Sequence, residues 1–201
     1  MAQWPTSPGP SAINVRSLYP TLISTSQSLK QQARSRGGQR WKIELSYINL
    51  VRAKIAPIRA VMLAMRGQFN TCTFAMPAGS LDAAQGTWAG TPKVNGANQI
   101  GRTLNAKGFT PSQTGVAKAD DFVQFSGDLK VYSVVADANS DGGGLVSLSI
   151  EPALMQSPTD NTNIIFGTSV LFTLAAETDL IEFPSRPPFF SDFSVSLVER
   201  A

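Results

Sequence analysis

The sequence predicts a mainly β protein of the α+β class: a β-barrel or β-sandwich core with one amphipathic α-helix, at about residues 57–66, packed on it. The chain has 201 residues, enough to bury a core, and only 15% of them are charged. Near residue 40, apolar and polar side chains alternate with the period of a half-buried strand. Beyond residue 99 the apolar stretches are short and separated by Gly, Asn, Asp and Pro, as expected for strands joined by turns.

Two regions differ in composition. Residues 1–38 are predicted to form an extended N-terminal arm and a polar segment, and residues 39–201 a β-rich structural domain. Residues 1–15 are rich in Pro, Ser and Gly, which favours an arm that becomes ordered when it docks on a neighbour. Residues 16–39 are polar and are expected to form a loop or a weak strand.

A β-α-β arrangement is predicted for the beginning of the structured domain. Within residues 40–47 the apolar side chains fall on one face of a strand: Trp41, Ile43, Leu45 and Tyr47. The helix follows, with Pro57 expected in its first turn and Gly67 as its C-terminal cap. Its apolar positions recur at helical spacing: Ile58, Val61, Met62 and Met65. Residues 68–76 are predicted to be a strand that returns beneath the helix.

The remainder is predicted to consist of short strands at 99–105, 121–125, 129–137, 144–150, 169–174, 179–183 and 190–198. The clearest hairpin joins Leu129 to Ile150 through the turn at 139–144, which ends in three glycines. Pro152 is expected to end the hairpin, because proline cannot donate to a central ladder. The proline-rich stretch 183–193 could seal the barrel or anchor a partner.

The composition argues against an enzyme. The chain has no histidine, which excludes Ser-His-Asp and Cys-His catalysis and any zinc site that uses imidazole. Cys72 is the only cysteine, and Phe69, Phe74 and Met76 near it favour a small buried hydrophobic residue over a reactive thiol. We therefore predict no catalytic residues, no metal site and no cofactor.

Three motifs resemble binding or catalytic sites, but each has a simpler interpretation. Residues 137–142 match the opening of a calcium loop, yet Leu148 stands where the closing carboxylate should be, which favours a hairpin turn. Residues 96–103 resemble a phosphate loop without the helix that such a loop needs. Asp120 and Asp121 are adjacent, so on a strand they would point to opposite faces, and we interpret them as turn residues.

Charge is divided unevenly along the chain. Residues 1–66 carry a net charge of +9 and the remainder −6. A solvated basic surface, a nucleic-acid patch and a surface that complements the acidic part of another copy are all compatible with this pattern. The single aromatic residue among these bases, Trp41, is expected to face the core, which favours a protein partner over nucleic acid. The possible subunit-interface residues are Arg34, Arg36, Arg40, Arg52 and Lys54.

Several motifs together resemble the distal tail proteins, or minor tail-tip proteins, of long-tailed bacteriophages. In the first third they are Gln39–Lys42 before a strand and Ala64–Gly67 at a helix end. In the middle they are Ala119–Gln124, Lys130–Val134, and Ala136–Gly142 leading into Leu148–Leu154. The last is Asp192–Glu199, so the resemblance spans about residues 38–200. The family pattern has a glycine where this chain has Asp120.

The resemblance implies a structural virion protein without a catalytic site, forming a homo-oligomeric ring, commonly of six copies, that links the tail tube protein to the tip hub protein. It implies location in the phage tail after assembly in the host cytoplasm, with no membrane and no specific nucleic acid as partners. No apolar run approaches the roughly 18 residues of a membrane span. The alternatives are another tail ring or tail-completion subunit and a carbohydrate-binding β-sandwich adhesin.

Overall fold

The computed structural model describes residues 2–77, 84–180, 182–184 and 190–200, and within these ranges it is mainly β with one α-helix, as predicted. The strands in chain order are β1 (Ala2–Gln3), β2 (Ala12–Leu18), β3 (Thr21–Thr25), β4 (Gln31–Ser35), β5 (Arg40–Val51), β6 (Cys72–Ala75), β7 (Gly90–Val94), β8 (Thr103–Phe109), β9 (Phe122–Phe125), β10 (Val131–Val134), β11 (Val146–Glu151), β12 (Ile164–Phe166), β13 (Leu171–Ala176) and β14 (Phe190–Glu199). The helix is α1 (Arg52–Met65). None of the described helical residues forms an apolar helix long enough to cross a membrane.

The chain divides into two compact units. Unit 1 contains residues up to 72 and 174–200, and unit 2 contains residues 73–173. One six-stranded sheet has the order β1-β6-β13-β14-β5-β2, and the other has the order β12-β9-β10-β11-β8-β7. The strands β3 and β4 form a separate two-stranded sheet. The predicted division at residue 38 stays a prediction.

Strand β5 organises unit 1. The predicted alternation is confirmed, because Trp41, Ile43, Leu45 and Tyr47 are buried while the residues between them are more exposed. Tyr47 stacks on Phe193 of β14 with ring centroids 5.0 Å apart, and its hydroxyl accepts a hydrogen bond of 3.0 Å from the indole N–H of Trp4. Burial raises the pKa of Tyr47 above its ordinary value. Trp4 is therefore anchored in the core of its own chain.

Helix α1 begins five residues earlier than predicted. It starts at Arg52, directly after β5, so Pro57 lies inside the helix and the prediction of a first-turn position for it is wrong. The start carries no capping signal, since Val51 at the N-cap makes no side-chain hydrogen bond. One face is buried through Ile55, Ile58, Met62 and Met65. The helix ends at Met65 and is followed by Arg66 and Gly67, both with positive φ, close to the predicted C-terminal cap.

Unit 2 is a nearly closed six-stranded barrel. Neighbouring strands pair antiparallel from β12 through β9, β10, β11 and β8 to β7. The two edge strands approach each other through a bridge between Lys93 and Asn163, with a 2.9 Å hydrogen bond from the N–H of Val94 to the carbonyl of Thr162. Closure of this kind leaves little open sheet edge for unwanted pairing. The predicted barrel core is confirmed in this unit.

The predicted hairpin between residues 129 and 150 is present, with shorter strands than expected. Strand β10 pairs with β11 through Val134 and Ile150, and Pro152 follows the end of β11. Two barrel strands, β7 and β12, were not predicted. The strand expected at 179–183 is absent at residues 179, 180, 182 and 183, which lie outside any strand. Much of the proline-rich stretch 183–193 lies outside the described residues.

The carboxylate of Asp121 ties together the loops at one end of the barrel. Its Oδ1 accepts a hydrogen bond of 2.6 Å from the backbone N–H of Gln85. Its Oδ2 accepts bonds from the backbone N–H groups of Gly86 and Lys118, at 3.1 and 2.8 Å, and from the indole N–H of Trp88, at 2.8 Å. The residue is only 3% exposed. Asp121 is thus more than the turn residue predicted from the sequence.

The loop that donates to Asp121 requires glycine at position 86 and contributes Trp88 to an aromatic stack. A Cβ atom at Gly86 would lie 2.6 Å from the carbonyl oxygen of Val116 and 2.8 Å from Oδ2 of Asp121, so no side chain fits there. Trp88 stacks on Phe166 with ring centroids 5.0 Å apart. Asp120 has φ 75°, a conformation that glycine adopts freely and aspartate tolerates, which is consistent with the glycine expected here from the resemblance.

Cys72 is expected to be chemically inert in the folded chain. The residue is fully buried, as predicted, and burial raises its pKa to about 12, which leaves almost no thiolate at neutral pH. A thiol reagent such as iodoacetamide should therefore modify the native protein very slowly and the urea-unfolded protein completely, as measured by mass spectrometry. Rapid labelling of the native chain would contradict this burial.

Replacing the carboxylate of Asp121 should destabilise unit 2. The substitution Asp121→Asn places an amide N–H₂ against N–H donors, and we expect it to lower the free energy of unfolding by about 2–4 kcal/mol. The matched control is Asp120→Asn, next to it but exposed, which should change stability by less than about 0.5 kcal/mol. Urea denaturation followed by tryptophan fluorescence measures both, and similar losses for the two variants would refute a special role for Asp121.

Candidate subunit interface

The β3–β4 hairpin, residues 18–36, is the most exposed ordered part of unit 1. All ten residues of its two strands are exposed, and it forms a sheet of its own. The hairpin is closed at its base by a 2.9 Å hydrogen bond from the N–H of Arg36 to the carbonyl of Pro20. Two-stranded hairpins without further packing are marginally stable in water.

Large apolar side chains are concentrated on this hairpin. Leu22 is 51%, Ile23 62% and Leu29 83% exposed. The flanking residues Leu18 and Tyr19 are also exposed. Several large exposed apolar side chains on one short element are typical of interaction sites. The sequence predicted a loop or a weak strand here, not a hairpin.

The five predicted interface residues lie on three elements. Arg34 lies on β4 and Arg36 directly follows it, Arg40 begins β5, and Arg52 and Lys54 occupy the first turn of α1. All five side chains are exposed. Within the described part of the chain none of them forms an ion pair. Their role at an interface stays a prediction.

The start of α1 has an unfavourable charge distribution. A helix N-terminus carries partial positive charge, so acidic side chains are stabilising there and basic ones are not. The first turn of α1 contains no acidic residue and two basic ones, Arg52 and Lys54. Since these cations weaken the helix of the isolated chain, an external acidic partner would offset the cost.

An acidic groove lies within unit 1 between α1, β14 and the segment after β13. It is open and encloses about 290 Å³. Its apolar lining consists of Met62, Met65, Ala176, Leu180, Val195 and Leu197, and its acidic lining of Glu44, Glu177 and Glu182. The groove was not predicted from the sequence, because its residues come from distant segments. One signal was present, since residues 177–182 hold three acids and no base.

The acids of the groove differ in their partners. Glu44 pairs with Arg16 at 3.1 Å, and Glu177 pairs with Lys42 at 2.6 Å. The hydrogen bond from Lys42 holds the pKa of Glu177 below its ordinary value, so this side chain is ionised at neutral pH. Glu182 is exposed and forms no ion pair with any described residue.

The segment that carries these acids is fastened to the end of the helix. The carboxylate of Asp179 accepts a 3.1 Å hydrogen bond from the backbone N–H of Gln68. A Cβ atom at Gly67 would lie 2.8 Å from the same carboxylate, so glycine is needed for this approach. The amide of Gln68 donates to the carbonyl of Glu177 at 2.6 Å. The groove is therefore a built feature of unit 1.

The motifs that resembled chemical sites serve the fold of unit 2. The carboxylate of Asp137 binds the Lys118 ammonium at 2.6 Å, which together with the N–H of Ala119 lowers the pKa of Asp137. Asp141 accepts hydrogen bonds of 2.8 Å from the N–H groups of Gly143 and Leu145, as in the predicted turn.

The phosphate-loop-like segment leads into a strand. In residues 96–103, Gln99 bridges backbone groups, accepting a 2.7 Å hydrogen bond from the N–H of Asn105 and donating to the carbonyl of Asn95 at 2.9 Å. Strand β8, not a helix, follows. The simpler interpretation of this motif is confirmed.

Comparison with known families bears on unit 2. Residues 82–168 match the family model described as "Distal tail protein pb9, B domain". The resemblance to distal tail proteins is confirmed. The match includes all six strands of the barrel, from β7 to β12, and the motifs at 119–124, 130–134 and 136–142. It supports a structural role in a phage tail.

The match covers less than half of the chain and lies wholly within unit 2. No curated protein sequence matches the chain. The hairpin, the helix and the acidic groove therefore belong to a part of the chain that the family match does not cover, and their function has to be argued from their own geometry.

Reversing the charges at the start of α1 should stabilise the isolated chain. In Arg52→Glu/Lys54→Glu, two carboxylates replace two cations at the positive end of the helix, and each is expected to contribute about 0.3–1 kcal/mol. The double variant should therefore melt at a higher temperature than the wild type in dilute solution at low salt. The matched control, Arg34→Glu/Arg36→Glu, has the same charge change away from the helix and should leave the melting temperature nearly unchanged. A lower melting temperature for the helix variant would contradict the dipole argument.

Proposed function

We propose that this chain is a subunit of a ring at the tail tip of a long-tailed bacteriophage, where it links the tail tube protein to the tip hub protein. The observation that carries the proposal is the match of the barrel, residues 82–168, to the B domain of a distal tail protein. The ring has six copies in the arrangement that the resemblance implies, and it is assembled in the host cytoplasm before it becomes part of the virion.

The charge distribution supports a ring built from one kind of chain. Such a ring uses heterologous contacts, in which two different surfaces of the same chain must complement each other. Residues 1–66 carry a net charge of +9 and the remainder −6, so basic and acidic surfaces are available on every copy. The proposed basic surface comprises Arg34, Arg36, Arg40, Arg52 and Lys54.

A carbohydrate-binding adhesin is less consistent with the structure. Sugar sites on β-sandwiches use exposed aromatic rings that line a groove. All three tryptophans of the chain are buried, and the exposed rings of Tyr19 and Phe69 do not line the groove of unit 1. A different tail ring or tail-completion subunit shares the chemistry proposed here and differs only in its position in the particle. Position is therefore measured directly in the experiment below.

The test combines solution mass with location in the particle. Light scattering of the purified chain, with negative-stain imaging of the same sample, should give a closed ring. Gold-labelled antibodies against the chain should bind at the distal end of the tail in intact virions. Labelling at the head-proximal end would replace the tail-tip role with a completion role, and a failure to label any part of the tail would refute the proposal.

Charge reversal at the start of α1 should impair assembly although it stabilises the chain. We expect Arg52→Glu/Lys54→Glu to reduce the fraction of ring at a given concentration by about tenfold or more, as reversal of close interface charges does elsewhere. Light scattering of wild type and variant side by side measures the fraction. Rings of normal abundance from the double variant would remove Arg52 and Lys54 from the interface.

A further inference from the structure

We propose that the β3–β4 hairpin of one copy docks into the acidic groove of a second copy, with Leu22 against the apolar lining and Arg34 against Glu182. This inference rests on the proposed self-assembly and names the contact that carries it. Both surfaces belong to unit 1, and neither lies in the part of the chain that matches the distal tail B domain.

One face of the hairpin combines the two kinds of chemistry that the groove offers. Leu22 lies directly opposite Arg34 in the β3–β4 register, and directly opposed residues share a face of the ribbon. This face thus places a leucine beside an arginine. The other face pairs Ile23 with Ala33. A leucine beside an arginine is the complement of an apolar groove with an acidic rim.

The groove suits side chains better than a free ligand. Its volume of about 290 Å³ is at the lower limit of small-molecule sites, which enclose roughly 300–1,000 Å³. Met62 and Met65 lie on its helical side, and methionine adapts its shape to an inserted side chain. Leu180, 72% exposed, extends the apolar surface at the rim.

The distribution of charge favours the hairpin over an uncharged occupant of the groove. The hairpin, residues 18–36, carries three bases and no acid, and residues 177–182 carry three acids and no base. Glu44 and Glu177 already have basic partners, whereas Glu182 is exposed and forms no ion pair among the described residues. Glu182 is therefore the acid that an incoming arginine meets first.

The contact has to come from another copy. Every residue of β3 and β4 is exposed, so the hairpin does not occupy the groove of its own chain. The hairpin and the groove are different surfaces, which makes the contact heterologous. Each copy then gives one hairpin and receives one, and the series closes when the rotation per copy closes.

A charge-swap experiment tests the contact. The variants Arg34→Glu and Glu182→Lys each replace an exposed side chain, so both should fold, which circular dichroism and thermal melting verify. Each alone should weaken self-association about tenfold or more, measured by sedimentation equilibrium.

The double variant Arg34→Glu/Glu182→Lys should recover association, because its hairpin and groove again carry opposite charges. An equimolar mixture of the two single variants should recover it too, because every contact in an array that alternates the two variants joins opposite charges. The control is Lys93→Glu, which has the same charge change as Arg34→Glu but lies in unit 2, and which should leave self-association unchanged.

The outcomes separate this inference from the proposed function. If the single variants assemble as well as the wild type, the hairpin–groove contact is wrong, while a ring formed by other surfaces stands. If both single variants are weakened but neither the double variant nor the mixture recovers, Arg34 and Glu182 do not meet. A wild-type chain that stays monomeric overturns the contact, and the tail-tip role is still decided by antibody labelling of virions.

Discussion

Much of the ordered structure of unit 2 depends on one carboxylate. A barrel with short strands has long connections, and their backbone N–H groups must find acceptors when they are buried. Asp121 supplies an acceptor for four such donors at once, three of them backbone groups. The residues that precede β7 and those that precede β9 are thereby fixed to each other. The position of Trp88, and with it the aromatic stack on Phe166, follows from the same anchor.

The sequence predicted those parts of the fold that the local periodicity of apolar residues determines. The alternation in β5 and the apolar face of α1 were visible because side chains four or fewer positions apart decide them. The start of α1 was not visible, because Val51 is not a capping residue and Pro57 suggested a later beginning. Strands β7 and β12 were missed for a related reason, since one contains a proline and the other has only three residues.

The candidate site, too, could be predicted only in part from the sequence. The basic residues could be found because they are concentrated in the first third of the chain. Their distribution over the hairpin, β5 and the start of α1 could not be predicted, since it depends on the pairing of β3 with β4 and on where α1 begins. The acidic groove was beyond sequence reasoning, because Glu44, Met62 and Val195 become neighbours only through the packing of α1 and the pairing of β14 with β5. Asp121 illustrates the converse, since nothing in its neighbourhood distinguishes it from Asp120 before the loops are folded.

The chain enters and leaves unit 2 through two strands that lie side by side. Residue 73 is in β6 and residue 173 is in β13, and these strands are neighbours in the first sheet. An insertion whose ends are adjacent in the host can change or be exchanged without altering the connectivity of the host. The barrel and the proposed hairpin–groove surfaces, which lie in different units, can therefore vary independently of each other. The family match begins at residue 82 and ends at residue 168, between these two crossing points.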